Sequence, residues 1–237
     1  MNKRQKKKVK AWNYITAKKR RKNKALCKRY PFLIPRNVWS DKIIWEQRDD
    51  YNKWSYTLAE EFPGGWWKAF GIMLCEELRE QLIKENYLYK FRFEQIKEKF
   101  GQLRAYNNGS HAVGEIIDKY SHLSENICIS CGHPDTYMTG GGWYSPICYD
   151  CFKRNEHHRD EWRIKNIENY TPPTDNEIKE LYQDVICDDN DTGGKMSDSY
   201  SVIWFESGND KKIVYDISDT AQKIRDGYNG WLYRQLF

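Results

Sequence analysis

Two C-x2-C pairs constrain the fold of this chain more than any other feature. Cys128 and Cys131 form CISC, and after a further 16 residues Cys148 and Cys151 form CYDC. Each pair can chelate from a tight turn while the intervening residues form a hairpin, so four thiolates at this separation suit one tetrahedral zinc ion. We expect a structural zinc, because four thiolates leave no open position for water.

The residues around the cysteines predict a treble-clef arrangement. Gly132 permits the left-handed turn of a zinc knuckle, and Gly140–Gly142 suit the turn of a hairpin. Cys148 and Cys151 would lie where a helix begins, so that the positive end of the helix offsets part of the thiolate charge. Two alternatives stay open, namely an iron–sulfur cluster and the replacement of one cysteine by His133, His157 or His158.

The same arrangement raises an enzymatic alternative, because HNH nucleases also use treble clefs. Such an enzyme needs a general-base histidine on the hairpin and a second metal-binding histidine on the helix. His157 or His158 could supply the second group, but the hairpin from Thr136 to Ile147 has no histidine, and His133 comes too early. The sequence therefore predicts a non-enzymatic protein, with an HNH-like nuclease as a weaker alternative.

Charge is divided unevenly along the chain. Residues 1–36 hold 15 of the 39 Lys and Arg and no Asp or Glu, which leaves 24 basic against 34 acidic residues, a balance of −10, for the remainder. A basic arm at residues 1–29, flexible or helical, is typical of phosphate-backbone binding to nucleic acid with weak sequence preference. The alternative is a solvated tail that aids solubility or localisation. The candidate nucleic-acid-binding residues are Lys3, Arg4, Lys6, Lys7, Lys8, Lys10, Lys18, Lys19, Arg20, Arg21, Lys22 and Lys24.

Hydrophobic patterning predicts an α+β body at residues 30–170. The segment KRYPFLIPRNVW, with two prolines, suggests an extended strap on a domain surface rather than a helix. Trp66 opens a helical pattern of about five turns, with Phe70, Leu74, Leu78 and Leu82 on its apolar side. A hairpin at 87–107 with a turn at Gly101 follows, and then a helix capped by Ser110 and ending near Ser124.

A linker signal at Tyr170-Thr171-Pro172-Pro173 separates a second, smaller unit. Residues 174–237 read as helix, strand, strand, helix, which predicts a small α-β-β-α unit. The sequence leaves open whether this unit docks on the body.

The remaining cysteines and the hydropathy predict an intracellular protein. Cys27, Cys75 and Cys187 are left over from an odd total of seven, and no apolar secretory segment precedes them, which favours free thiols in a reducing compartment. No apolar run approaches the roughly 20 residues of a spanning helix, so we expect no membrane partner.

Three stretches together resemble an uncharacterised zinc-binding family of tailed phages and prophages. They are KRYPFLIPRNVW at 28–39, IKEKFGQLR at 96–104 and CISCG…GGWYSPICYDC at 128–151, and the resemblance covers about residues 26–152. It implies a phage or prophage origin, a zinc-bound fold, and therefore a location in the cytoplasm of a bacterial host. Only the four cysteines carry over as a site.

The function expected from the sequence is that of a non-enzymatic, zinc-stabilised phage-type protein that binds nucleic acid through its basic arm. The main alternative is a protein-interaction module, for instance a host-takeover or anti-defence factor, whose acidic and aromatic body engages a host protein. A virion-associated role is a third possibility.

Overall fold

The computed structural model describes residues 3–37, 39–46, 53–134, 136–139, 144–155, 171, 173–180, 201–205, 212–216 and 218–237. Its first element is helix α1 (Lys3–Arg29), which covers almost the whole basic arm. From Lys19 onward α1 contacts the rest of the chain, beginning with a 2.6 Å ion pair between Lys19 Nζ and Glu60 Oε2. Leu26 and Cys27 are buried. The last turns of the arm are therefore part of the core.

The predicted surface strap is wrong in both conformation and burial. Pro31–Leu33 form a 3-10 turn, and Pro31 suits the start of that turn because a first position needs no N–H. Phe32 and Leu33 are fully buried. The Phe32 ring packs edge-on against Phe91 and Phe93, with ring centroids 5.6 and 5.7 Å away. The segment contributes to the core because its aromatic and aliphatic side chains outweigh the extended preference of the proline-flanked backbone.

Helix α2 is the central element of the body. It runs through an α turn at Gly64–Trp66, a π turn at Trp67–Gly71 and an α segment at Ile72–Lys84. The predicted helix is confirmed, and it begins two residues earlier than Trp66. Its fully buried apolar side chains include Trp66, Phe70, Leu74, Leu78 and Leu82.

A β-hairpin and a third long helix share the hydrophobic core with α2. Strands β1 (Phe93–Lys99) and β2 (Gln102–Asn107) pair antiparallel. Phe100 and Gly101 form their two-residue loop with φ of 54° and 75°, which is the backbone of a type I′ turn. Helix α3 (His111–Ser124) follows, and the Ser110 side chain accepts a 3.3 Å hydrogen bond from Val113 N–H at its start. The predicted turn and cap are both confirmed.

Shorter elements complete the described chain. In order they are β3 (Tyr137–Thr139), β4 (Ser145–Ile147), α4 (149–155), α5 (175–180), β5 (Ser201–Phe205), β6 (Lys212–Asp216), α6 (Ser218–Arg225) and α7 (Tyr228–Leu236). β3 pairs with β4 and β5 with β6, both antiparallel. The predicted helix, two strands and helix after residue 173 are present, with the last helix divided at Gly227, where φ is +70°.

The last described helix, α7, docks on α2 at its π turn. Asn229 on α7 is buried, and its Oδ1 accepts hydrogen bonds from Ile72 N–H at 2.8 Å and Met73 N–H at 3.0 Å. Its Nδ2 donates to the carbonyl oxygens of Trp67 and Lys68 at 3.2 and 2.9 Å. A π turn disrupts the regular i→i−4 pattern, and here one side chain from α7 bonds four of the backbone groups around it. Residues 218–237 thus pack into the same core as α2.

None of the helices in the described parts of the chain is both long enough and apolar enough to span a membrane.

Candidate metal centre

The four cysteines of the two C-x2-C pairs converge at one point. The Sγ atoms of Cys128, Cys131, Cys148 and Cys151 all lie within 4.8 Å of one another. Those of Cys131 and Cys148 are 3.6 Å apart. Four sulfurs placed about 2.3 Å from one tetrahedral ion would be roughly 3.8 Å apart, so the cluster has the dimensions of a single-ion site. The cysteines could therefore hold one metal ion.

The first pair lies on a tight knuckle. Cys128 N–H donates to His133 O at 2.9 Å, and Gly132 N–H donates back to Cys128 O at 2.8 Å. Gly132 has φ of +78°, a conformation that glycine adopts without steric cost. The chain therefore reverses within five residues and presents both sulfurs on one side.

The second pair lies at the start of α4. The Cys148 carbonyl accepts hydrogen bonds from Cys151 N–H at 3.1 Å and Phe152 N–H at 3.0 Å, which form the first turn of the helix. This is the predicted position of the pair. The N–H groups of a helix start carry partial positive charge and stabilise anions nearby, which here include the thiolates.

A short hairpin joins the two pairs. β3 pairs with β4 from Tyr137 opposite Ile147 to Thr139 opposite Ser145. The predicted turn at Gly140–Gly142 and the predicted apolar cover from Trp143 lie outside the described residues. The observed order is thus knuckle, hairpin and helix.

Burial and backbone N–H groups act in opposite directions on the thiols. Burial raises the pKa of Cys151 to about 11 and also raises the pKa of Cys148. Burial opposes ionisation of Cys128 as well, but the N–H groups of Cys148, Cys131 and Ser130 outweigh it and lower the pKa of Cys128. Among these three thiols, the backbone N–H groups therefore favour the deprotonated form of Cys128, and a bound cation would favour the same form of Cys148 and Cys151, because thiols bind metals in their deprotonated form.

The knuckle is fastened to the first turn of α2. Gly65 N–H donates to Ile129 O at 2.9 Å, and Trp66 Nε1–H donates to Ile127 O at 2.8 Å. A Cβ atom on Gly65 would lie 2.2 Å from Cys128 O, and one on Gly132 would lie 2.5 Å from Gly65 O. Only glycine fits at either position, so the two backbones are in direct contact. In the sequence, the Pro-Gly-Gly run before Trp66 predicts a break between structural elements. It does not indicate that Gly65 contacts the knuckle.

A small apolar cluster packs around the cysteines. Phe152 on α4 and Ile147 on β4 belong to it, and so does Ile178 on α5, which is 1% exposed. Helix α5 begins with a capping box, in which Thr174 N–H donates to Glu177 Oε2 and Glu177 N–H to Thr174 Oγ1. A residue beyond the predicted linker therefore helps to cover the metal centre.

In the part of the chain that the structure describes, the four cysteines form the only cluster of possible metal ligands, and no histidine belongs to it. The His133 ring is exposed beside the backbone oxygen of Pro134. His157 and His158 lie outside the described residues, so the nuclease alternative that depends on them stays untested.

The candidate nucleic-acid-binding residues of α1 divide into three groups. Arg20 is half-buried, Lys19 pairs with Glu60, and Lys22 lies 5.0 Å from the centre of the Tyr233 ring. The side chains of Lys7, Lys8 and Lys10 lie outside the described ones. Within the described part of the chain, the exposed candidates that form no such contact are Lys3, Arg4, Lys6, Lys18, Arg21 and Lys24. The exposed Lys28, which was not among the candidates, also forms none there.

Comparisons of the chain with protein-family models, with curated proteins and with solved structures found no significant match. The resemblance to a phage and prophage family therefore stays a prediction.

Proposed function

We propose that this protein binds nucleic acid through the exposed face of α1, with a zinc-stabilised body as its scaffold. The observation that carries the proposal is one face of this helix. Lys18, Arg21, Lys24 and Lys28 follow one another at intervals of three or four residues, so they share one side of α1, and all four are exposed.

The opposite side of the same helix segment is committed to the core. Asn23, Leu26 and Cys27 are each less than 5% exposed, and Asn23 Nδ2 donates to Trp54 O at 3.1 Å. The basic face is therefore held in a fixed orientation. Within the described part of the chain, none of its four cations forms an ion pair, and each can meet an external anion without breaking an internal contact.

The length of α1 suits a polyanion. The basic face from Lys18 to Lys28 extends roughly 15 Å, and the distance from Lys3 to Lys28 along the helix is roughly 38 Å. Duplex DNA carries a charge about every 1.7 Å of its axis, so a helix of this length can reach several phosphates at once. Lysine and arginine on such a face read charge and not base identity, which supports weak sequence preference.

Binding to a short labelled duplex, measured by fluorescence anisotropy across salt concentrations, tests the proposal. The test variant replaces Lys18, Arg21, Lys24 and Lys28 with Gln. The control variant carries the same number of Gln substitutions at exposed cations on other elements, so that its net charge equals that of the test variant. These cations are Lys84, Lys99, Arg154 and Lys179.

The α1 variant should bind more weakly, and its slope of log K against log salt should flatten by about 0.9 for each phosphate that the variant no longer neutralises. The control should keep the slope of the unaltered chain. Equal affinity and slope in the α1 variant and the control would contradict the proposal and would favour the protein-interaction alternative.

For the metal centre we propose zinc in a treble-clef-like site with a structural role. Four cysteine ligands complete a tetrahedron, and the order of knuckle, hairpin and helix supports this type of site. Elemental analysis of the purified chain should find about one zinc per molecule, and strong visible absorption with bound iron would instead indicate an iron–sulfur cluster. The absence of catalysis, the phage origin and the bacterial cytoplasmic location remain predictions.

A further inference from the structure

A cationic cleft of about 250 Å³ lies away from both α1 and the cysteines. One wall consists of Arg36, Asn37 and Asp41, beside a β-bridge between Arg36 and Ile43, and the other is the segment that leads into β1. Three cations, Arg36, Lys90 and Arg92, and two carboxylates, Asp41 and Glu94, line it. The cleft therefore has a positive balance in a body that is acidic overall.

Asparagine side chains fix the backbone of both walls. In the loop, Asn37 Oδ1 accepts hydrogen bonds from Trp39 N–H and Ser40 N–H, each at 3.0 Å. In the other wall, Asn108 Oδ1 accepts from Arg92 N–H at 2.7 Å, and its Nδ2 donates to Lys90 O at 3.2 Å. The cations are consequently held on a preorganised frame, which lowers the entropy cost of binding a ligand.

The two arginines share a single carboxylate. Asp41 Oδ1 lies 3.2 Å from Arg92 Nε, and Asp41 Oδ2 lies 3.6 Å from Arg36 Nη1. Arg36 Nη1 also donates to Asp41 O at 2.7 Å, and Arg92 Nη1 donates to the carbonyl oxygens of Tyr89 and Phe91 at 2.8 and 2.7 Å. Each guanidinium has five N–H donors, so these contacts within the described residues still leave donors of both groups for a ligand. Arg36 Nε is buried without a hydrogen-bond partner. A buried donor of this kind is costly unless an acceptor reaches it, and an oxyanion in the cleft would supply one.

Two exposed aromatic residues are close in sequence to residues that line the cleft. Trp39 is 95% exposed and lies two residues after Asn37, while Tyr89 is 75% exposed and immediately precedes Lys90. Exposed Trp and Tyr side chains can serve as contact surfaces, because both residue types are enriched at binding interfaces. Aromatic rings beside a cationic groove form a platform on which unpaired nucleobases stack while the groove follows the phosphates.

We propose that this cleft binds a phosphodiester of single-stranded nucleic acid, with adjacent bases stacked on Trp39 and Tyr89. Single strands are favoured over duplex because bases that already stack within a duplex do not offer their faces to a protein ring. The cleft contains none of the residues of α1, so binding at the cleft can be tested independently of the binding proposed for that helix.

The test measures binding of labelled oligothymidylate to the full chain and to single variants. Trp39→Ala removes an exposed ring and should leave the fold unchanged, yet it should weaken binding about fivefold or more. Lys90→Gln should also weaken binding and reduce its salt dependence. The matched controls are Phe100→Ala, which removes another exposed ring, and Lys84→Gln, which removes another exposed cation.

An abasic strand of the same length separates base stacking from simple attraction of phosphate, and we expect it to bind about fivefold more weakly than oligothymidylate. Repeating the series in the α1 variant with four Gln substitutions separates the two proposals, because the effect of Trp39→Ala should persist there. Equal affinities of the abasic and thymidine strands, or unchanged binding in both Trp39→Ala and Lys90→Gln, would overturn the proposal.

Discussion

Replacing Asn229 tests the docking of α7 on the π turn of α2. Asn229→Ala removes the acceptor of two backbone N–H groups and the donor to two carbonyl oxygens, all four at 2.8–3.2 Å. Orphaning a buried donor costs about 1–3 kcal/mol, so we expect a loss of about 3 kcal/mol in the free energy of unfolding. In a chain of this size that lowers Tm by roughly 6–12 °C.

Asn229→Asp tests this role more specifically than Asn229→Ala, because the side chain keeps its shape and only the amide nitrogen is replaced by an oxygen. The acceptor for Ile72 and Met73 remains, but the former amide nitrogen becomes an oxygen that faces the carbonyl oxygens of Trp67 and Lys68. Repulsion favours the protonated acid, so the pKa of this Asp in the folded state should lie above the unfolded value of about 3.9. Its destabilisation should be small below pH of about 4 and should grow as pH rises through the folded pKa.

Urea unfolding of both variants at several pH values measures these effects. Asn176→Asp on α5 is the matched control, because Asn176 is exposed and the same amide-to-acid change should alter stability by less than about 0.5 kcal/mol. If Asn229→Asp were as stable as the unaltered chain at neutral pH, or if its loss of stability did not depend on pH, the role given to Asn229 would be refuted.

Three further predictions concern the metal centre and the core. Cys128→Ser or treatment with a strong chelator should release the bound metal and unfold the region around the cysteines. Thermal unfolding should then show a lower Tm, and elemental analysis should show loss of the metal. An unchanged melting curve in metal-free protein would contradict this prediction. Gly65→Ala should lower the free energy of unfolding by about 1–3 kcal/mol or more, because the new Cβ would lie 2.2 Å from Cys128 O. Gly64→Ala is the control, since no atom lies within 4 Å of its new Cβ, and it should leave thermal unfolding nearly unchanged. Burial opposes ionisation of Glu76, yet the hydrogen bonds that Glu76 accepts from Arg29 and Tyr30 lower the pKa of its carboxyl group. The stability that ionised Glu76 contributes should therefore be present above pH of about 4.5 and should fall as pH drops through the folded pKa. In urea unfolding at several pH values, Glu76→Gln should be less sensitive to acid than the unaltered chain.

Local patterns in the sequence predicted the elements whose causes are local. The cap at Ser110, the turn at Gly101 and the knuckle at Gly132 each depend on residues within a few positions, and all three are present. The convergence of the four cysteines also followed from spacing alone, because two C-x2-C pairs joined by a hairpin have few ways to avoid each other.

Contacts between distant segments were not predictable in the same way. Gly65 meets Gly132, and Asn229 meets the π turn, over separations at which no periodic pattern operates. Burial also reversed one local prediction, because Phe32 packs on Phe91 and Phe93 and not on the surface. Tertiary packing decides such cases, and a single sequence carries little trace of it.

The docking of α7 has a consequence for how the chain folds as it is made. The Tyr30 ring lies 6.1 Å from that of Phe237, and Lys22 lies over Tyr233, so the region at the end of α1 meets the region of α7. Contacts of such sequence separation must wait until α7 has left the ribosome, and folds that depend on them form slowly. Until then the backbone groups of the π turn lack Asn229, and a ribosome-bound chain that ends before α7 should remain sensitive to protease.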